Sequence, residues 1–511
     1  MKKTLAFVLI AALLSSCDKD FEQINKNPVQ STSIDPVYLF SNAQLNTTLT
    51  AQTVHYESSI VQQVITPFGG VNAGANFNID YRDNTRINWF TFYSGTNNGN
   101  NGPIKLLADV LNQTKSDANR SNLYHMARIW KAYVFMVLVD SYGDVPYFQA
   151  GQAYLQGTKL PKYDPQADIY TDLAKELDEA TAALDATKKI EAGDLFYQGN
   201  VAKWKRLGYS LLLRLGMRYS KLDAAKAQSL VQKAFQGGVF QSNDDNVKIL
   251  YTSIYTSPLG NLWNNTEKAN FYLGAPFVAY LKTNNDPRLK VISVKYGEPS
   301  KNPEQTTVNT TPADQIGMPY GYDDGSLATA PNFPGKIGSG GWAYSQINRR
   351  TVGKVDGPLH FITYAQTQLL LAEAAQRGWI QGTAADFFKA GIAGHMNQLK
   401  EYDAAATIAQ ADMDAYLTAH PLAAATALEQ INTQYWVASF LNGPEAFANW
   451  RRSGFPTLAP NKYPGRTIKG DFIRRLTYPQ LEQSVNADNY NAAVARQGAD
   501  DLDTRVFWDK P

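Results

Sequence analysis

Cys17 is the only cysteine in a chain of 511 residues. No intrachain disulfide can form, so the fold must rest on burial of apolar surface, and a chain of this length has enough of it for a sizeable core. The position of the cysteine constrains the chain further. Met1-Lys2-Lys3 precedes an unbroken apolar run from Leu5 to Leu14, followed by Ser15-Ser16. A basic start, an apolar stretch and small residues before a cut are the parts of a secretory signal, expected here at 1–16. Ten apolar residues make a helix of about 15 Å, half of a hydrocarbon core of about 30 Å. No later stretch is apolar for long enough to span a membrane.

Leu14-Ser15-Ser16-Cys17 resembles a bacterial lipobox, in which the cysteine is acylated on its sulfur and on the amine freed by cleavage. Cys17 is therefore the expected lipidation site, carrying palmitate or a similar chain, and the lipid alone would hold the protein to a membrane. Residues 17–36 read as a polar, turn-rich tether, and 37–511 as a single globular domain, because no low-complexity linker divides it. Losing Lys2 and Lys3 with the leader leaves 46 basic against 46 acidic residues. That balance argues against electrostatic capture of nucleic acid and is better suited to a neutral ligand.

The body is patterned for helices. Asp164-Pro165 predicts a helix start, with Ile169, Leu173, Leu177, Ala180 and Leu184 forming one apolar stripe. A second helix is expected from Asn200 through Trp204, Leu207, Leu211 and Leu215. A third is expected from Asp223 to Gly237-Gly238, where glycine ends it. Another pair is expected around Gly378 and Thr383. Trp204-Lys205-Arg206-Leu207-Gly208 matches the opening of a tetratricopeptide repeat, although Leu211 stands where tyrosine belongs and no strict 34-residue period follows. The expected class is mainly α, with tetratricopeptide-like hairpins scaffolding a long irregular loop region with a few short strands.

Two stretches break the rhythm. Thr66 to Asn84 is rich in Gly and Asn, and Asn284 to Pro358 in Gly and Pro. An insert of the second length in a compact domain is expected to be functional or to hold short strands, Val291 to Val294 being one. The chain carries 9 Trp, 29 Tyr and 23 Phe, many of them in these loops. A pyranose stacks its C–H face on such a ring while amides and carboxylates bond its hydroxyls, so loop rings are the candidate ligand contacts. They are Trp342, Tyr344, Tyr320, Tyr322, Phe333, Trp263, Phe77 and Tyr81. Trp89 and Trp130 sit on helix stripes and are expected in the core.

Several segments resemble one family. Cys17-x-x-x-Phe21-x-x-Ile24-Asn25-x-Asn27-Pro28 is similar to the mature start of the SusD/RagB-like lipoproteins of the Bacteroidota, in particular the branch of starch-binding proteins associating with the outer membrane. Tyr142-Gly143-Asp144-Val145-Pro146, Tyr364 through Ala372-Glu373-Ala374, Asn449-Trp450-Arg451-Arg452, Asp286-Pro287-Arg288-Leu289 and Arg474-Arg475-Leu476-Thr477-Tyr478-Pro479 resemble the same family. The resemblance implies a surface-exposed outer-membrane lipoprotein that binds a glycan or related nutrient and delivers it to a TonB-dependent, SusC-like transporter. The arginines of these motifs are expected to pair with buried carboxylates and helix C-termini rather than with ligand.

No enzymatic motif competes with that reading. His55, His125, His360, His395 and His420 lie far apart, without metal spacing, and no Walker loop or nucleophile elbow is present. Asp323-Asp324-Gly325 and Asn243-Asp244-Asp245-Asn246 offer oxygens without the EF-hand frame, so no cofactor is expected and a structural calcium stays open. Two alternatives also stay open: a lipid-anchored glycoside hydrolase, recognisable by a paired-carboxylate cleft, and a helical-repeat adaptor for envelope proteins, which would lack an aromatic site.

Overall fold

The computed structural model describes residues 34–49, 51–69, 74–95 and 101–511. The leader, Cys17 and the tether through residue 33 lie outside the described residues. The longer helices are α1 (Pro36–Asn46), α2 (Ala51–Ile60), α3 (Pro103–Thr114), α4 (Ser121–Tyr142), α5 (Gln166–Ala183), α6 (Val201–Arg218) and α7 (Ala224–Gly237). They continue as α8 (Ala275–Thr283), α9 (Tyr364–Gln376), α10 (Ala384–Gln398), α11 (Gln410–Ala419), α12 (Ala427–Ala438), α13 (Gly443–Ser453) and α14 (Ala487–Gln497). No helix among the described residues is long and apolar enough to cross a membrane.

Helix α4 is the axis of the core. From Ala132 to Tyr142 every side chain is buried, as expected of a helix apolar on all sides. Helices α3, α5 and α13 pack around it, and α5–α6, α6–α7 and α9–α10 pack as successive hairpins. The local signals that start these helices are the expected ones. Asn200 accepts the amide of Lys203 at 3.1 Å and Asp223 that of Lys226 at 2.9 Å. Gly238, at φ +90°, terminates α7. One cap differs from the expectation. Asp164 does not cap α5; its carboxylate accepts the amides of Tyr147 and Phe148, at 2.8 and 2.9 Å. Asp144 takes the cap's place, accepting from Gln166 N–H at 2.9 Å.

The arginines of the C-terminal motifs serve the core. Arg452 forks onto Glu373 at 2.7 and 2.8 Å, and Arg475 binds Asp500 at 3.0 Å and the Tyr142 carbonyl, at the end of α4, at 2.8 Å. Arg451 donates to the carbonyls of Asp140 and Arg474. Trp89, Trp130 and Trp204 are buried.

The strands are short and all pair antiparallel: β1 (Val64–Ile65) with β3 (Tyr272–Leu273), and β2 (Val247–Ile249) with β9 (Leu359–Ile362). Strand β4 (Ser293–Tyr296) lies between β5 (Val308–Asn309) and β8 (Gln346–Ile347), and β6 (Lys336–Ile337) forms a hairpin with β7 (Gly341–Trp342). The irregular insert thus holds five short strands, β4 to β8. The strand expected at Val291 begins two residues later. Arg288 binds Asp286 within the preceding turn, and Leu289–Ile292 continue as a helical turn before Ser293 extends.

Candidate functional site

The rings of the insert do not join the main core. Trp342, Tyr344, Tyr272, Met318, Leu327 and Ile65 form a separate small core, with Phe68, Tyr320, Tyr322 and Phe333 packed against it and only partly covered. Strand pairing explains the placement. Met318 donates its amide to Leu273, Ser345 to Ile316, and Leu273 to Ser345, so the insert is laced to β3. Trp342 then lies 5.0 Å from Phe68 and 5.9 Å from Tyr272, ring centre to ring centre, and its amide donates to the Tyr272 hydroxyl at 3.2 Å.

A second loop completes the surface. The Asn76 side-chain amide donates to the carbonyls of Thr66 and Tyr322, both at 2.9 Å, and accepts from Gly321 N–H at 2.8 Å. Asn461, in turn, donates to the Asn76 carbonyl and accepts the amide of Tyr463. Two buried asparagines therefore tie together the chain at Thr66, Asn76, Gly321–Tyr322 and Asn461–Tyr463. Buried and fully bonded, such amides hold loop backbones rigidly. Tyr320 donates to Asn78 Oδ1 and the Ala75 carbonyl, both at 3.1 Å, and burial raises its phenol pKa.

The eight rings named from sequence divide by depth. Tyr320, Tyr322, Phe333 and Tyr81 are partly exposed around the tied loops. Trp342 (6 % exposed) and Tyr344 (2 %) lie beneath them as a floor. Burial pushes the Tyr344 phenol up to about 12, and its hydroxyl is buried without a protein partner. Phe77 (2 %) backs the face from below, 4.7 Å from Tyr463. Trp263 is not part of the face. It is 3 % exposed in the main core, where its indole N–H donates to His55 Nε2 at 2.9 Å. Burial lowers the His55 pKa to about 3, so this ring is a neutral acceptor that fixes the indole in place.

Two further partly exposed rings stand outside the eight named from sequence: Phe68, an aromatic of the Thr66–Asn84 loop, and Tyr463. Phe68 stacks at the edge of Trp342, and Tyr463 donates its hydroxyl to Asp323 Oδ2 at 3.0 Å. The turn residues Asn461-Lys462-Tyr463-Pro464-Gly465 are the only local signal for the second. Asp323 also accepts from the Ser326 hydroxyl and amide, which with the tyrosine holds its carboxyl below the usual range. Its oxygens close a turn and brace a ring. Asp245 similarly binds Arg206 at 3.0 Å and the Gln241 amide at 2.8 Å. Among the described residues no three metal-capable side chains cluster.

The arrangement is thus a set of fixed, partly exposed rings beside the Asp323 carboxylate, tied from beneath by buried amides, on loops carried by stacked helices. This combination suits a flat amphipathic ligand. Known structures share the architecture. A chitin-binding protein is 33% identical, covering 93% of this chain and 100% of its own, with a TM-score of 0.80. A SusD-like protein from Bacteroidetes is 25% identical over 94% of this chain and 100% of its own, with a TM-score of 0.78. A SusD homologue from Bacteroides uniformis, 23% identical over 94% of this chain and 100% of its own, has the same fold with a TM-score of 0.74. Among curated proteins none matches.

Fold and neighbours define the class as SusD-like. The family model described as "Starch-binding associating with outer membrane" matches residues 28–479, and the chain belongs to that family.

Proposed function

We propose that the protein is a lipid-anchored, surface-exposed outer-membrane lipoprotein that captures a glycan on the face formed by Phe68, Tyr81, Tyr320, Tyr322, Phe333 and Tyr463, and passes it to a TonB-dependent, SusC-like transporter without cleaving it. The observation that carries this reading is that sequence-distant loop segments bearing these rings are tied together through Asn76 and Asn461, while the rings stay partly exposed. A core has no need of rings held in that state. A sugar-binding surface does, because fixed rings lose little entropy when a pyranose stacks on them. The similar chitin-binding protein makes β-linked N-acetylglucosamine oligomers the first ligands to try, with starch oligomers second.

Titration calorimetry tests the face. Tyr322→Ala should weaken glycan binding by about 2 kcal/mol, or about 30-fold, with an unchanged melting curve. Trp342→Ala should instead lower the melting temperature, because that ring is the floor. If Tyr322→Ala binds as tightly as wild type, the face is misassigned.

Anchoring has its own test. Cys17 is the sole thiol, so Cys17→Ala should lose all fatty-acid labelling and leave the membrane fraction. Undiminished labelling would contradict the anchor.

A further inference from the structure

A separate cleft lies away from the rings. About 450 Å³ in volume, it opens between the turn that follows α8 and the flank of α11. Leu281, Pro287, Ala415 and Ala419 give it apolar walls, and the stacked pair Tyr416–His420, 4.2 Å between ring centres, stands at one end. His420 Nδ1–H donates to the Tyr416 carbonyl at 2.9 Å, which fixes the imidazole. The opposite wall is equally fixed. Asp286 holds Arg288, whose guanidinium also donates to Gln434 at 2.7 Å, and Gln434 donates to the Tyr416 hydroxyl at 3.0 Å. One hydrogen-bonded chain therefore sets the spacing of both walls.

The charges of the cleft are all engaged. Lys290 pairs with Asp412 at 2.8 Å, from one wall to the other, and Lys282 donates to the carbonyls of Ala313 and Gln315 at 2.6 and 3.1 Å. Asp286 is bound to Arg288. Asp286, Lys290 and Asp412 are thus ion-paired and Lys282 is held by carbonyls, so a charged ligand would compete with contacts already made, whereas a neutral ligand would not. Asn284 and Asn285 add amide groups beside the apolar walls, and Asn285 is held there at φ +50°. Apolar walls, amides and carboxylates that are already paired favour a neutral molecule with both a C–H face and hydroxyls, and the volume matches a small-ligand site.

We propose that this cleft is a second saccharide site, sized for one or two neutral sugar rings and separate from the ring-bearing face. That the neutral ligand is a sugar rests on the glycan reading above. The two sites share a helix: α8 starts beside Tyr272 in the floor of the face and ends at the cleft, nine residues or about 14 Å away. Pro312, on the cleft wall, also leads through Gln315 into the loop that carries Tyr320 and Tyr322.

Titration calorimetry with maltose, cellobiose and N,N′-diacetylchitobiose tests the proposal on the wild-type chain, Ala415→Trp and Tyr322→Ala. Ala415 is exposed on α11, so an indole there fills the cleft without entering the core. Ala419→Trp, one turn along the same wall, provides an independent block if the first variant melts early. At least one disaccharide should bind wild type at two sites. Ala415→Trp should weaken one of them at least tenfold and leave the other within twofold; Tyr322→Ala should do the converse. Loss of a site in Ala415→Trp with no effect of Tyr322→Ala would uphold the cleft and refute the face. A single site untouched by either tryptophan, or no binding of any of the three sugars at millimolar concentration, would overturn the proposal.

Discussion

Glu373→Ala is expected to cost about 3–5 kcal/mol of folding stability, the range for removing one partner of a buried ion pair. Glu373 lies in α9, and Arg452 reaches it from α13 in a bidentate fork at 2.7 and 2.8 Å. Asn432 of α12 donates to the same carboxylate at 3.0 Å, and Arg377 adds a contact at 2.8 Å. Burial alone would raise the carboxyl pKa, but the Arg452 guanidinium reverses this and holds it at about 2. The stabilisation is therefore full above the ordinary carboxylate pKa and is lost only as pH falls through about 2. Removing Glu373 strands the Arg452 charge in the interior. The double variant Glu373→Leu/Arg452→Met should recover much of the loss, because no unpaired charge remains. Chemical denaturation of the three variants at neutral pH measures the cost. A single variant within 1 kcal/mol of wild type would show that the pair does not lock α9, α12 and α13.

Glu57→Gln is expected to act in the opposite direction. Glu57 of α2 is 1 % exposed. One carboxylate oxygen is only weakly bonded, by Ser141 at 3.3 Å and Asn88 at 3.5 Å, and the other has no partner. Burial raises its pKa to about 8, against the opposing pull of Arg451. The folded chain therefore keeps a proton that the unfolded chain releases at ordinary carboxylate pH. Its contribution is intact below about pH 4.5 and is lost as pH rises through about 8, with a full span of about 5 kcal/mol at 1.36 kcal/mol per pH unit. Glutamine keeps the shape and cannot ionise. Glu57→Gln should match wild type near pH 4 and exceed it by several kcal/mol at pH 9. Parallel stability curves for the two proteins across that interval would contradict the assignment.

Much of the scaffold was legible because its signals are local. Asn200, Asp223 and Gly238 act on neighbours within four residues, and the apolar stripe from Ile169 to Ala180 is a property of one helix, which ends just before Leu184. Asp164 departs from the local rule because its carboxylate reaches back to Tyr147 and Phe148, across a loop whose path no local rule fixes. The site was legible only as a choice of residue types. Loop aromatics in the Gly- and Pro-rich insert do gather, but their depth is set by partners far away in sequence. Trp342 is buried by Phe68 and Tyr272, and Trp263 by its bond to His55, 208 positions away. Tyr463 is not legible locally, because a lone ring in a C-terminal turn is placed only by Asp323, 140 residues earlier.

The central claim is that three tied loops present a glycan-binding face. A crystal structure of the protein with the tightest-binding oligosaccharide from a chitin and starch series tests it most directly. The account predicts sugar rings stacked on Tyr322, Phe333 and Tyr463, beside the Asp323 carboxylate. An ordered glycan bound elsewhere, with those three rings bare, would contradict it.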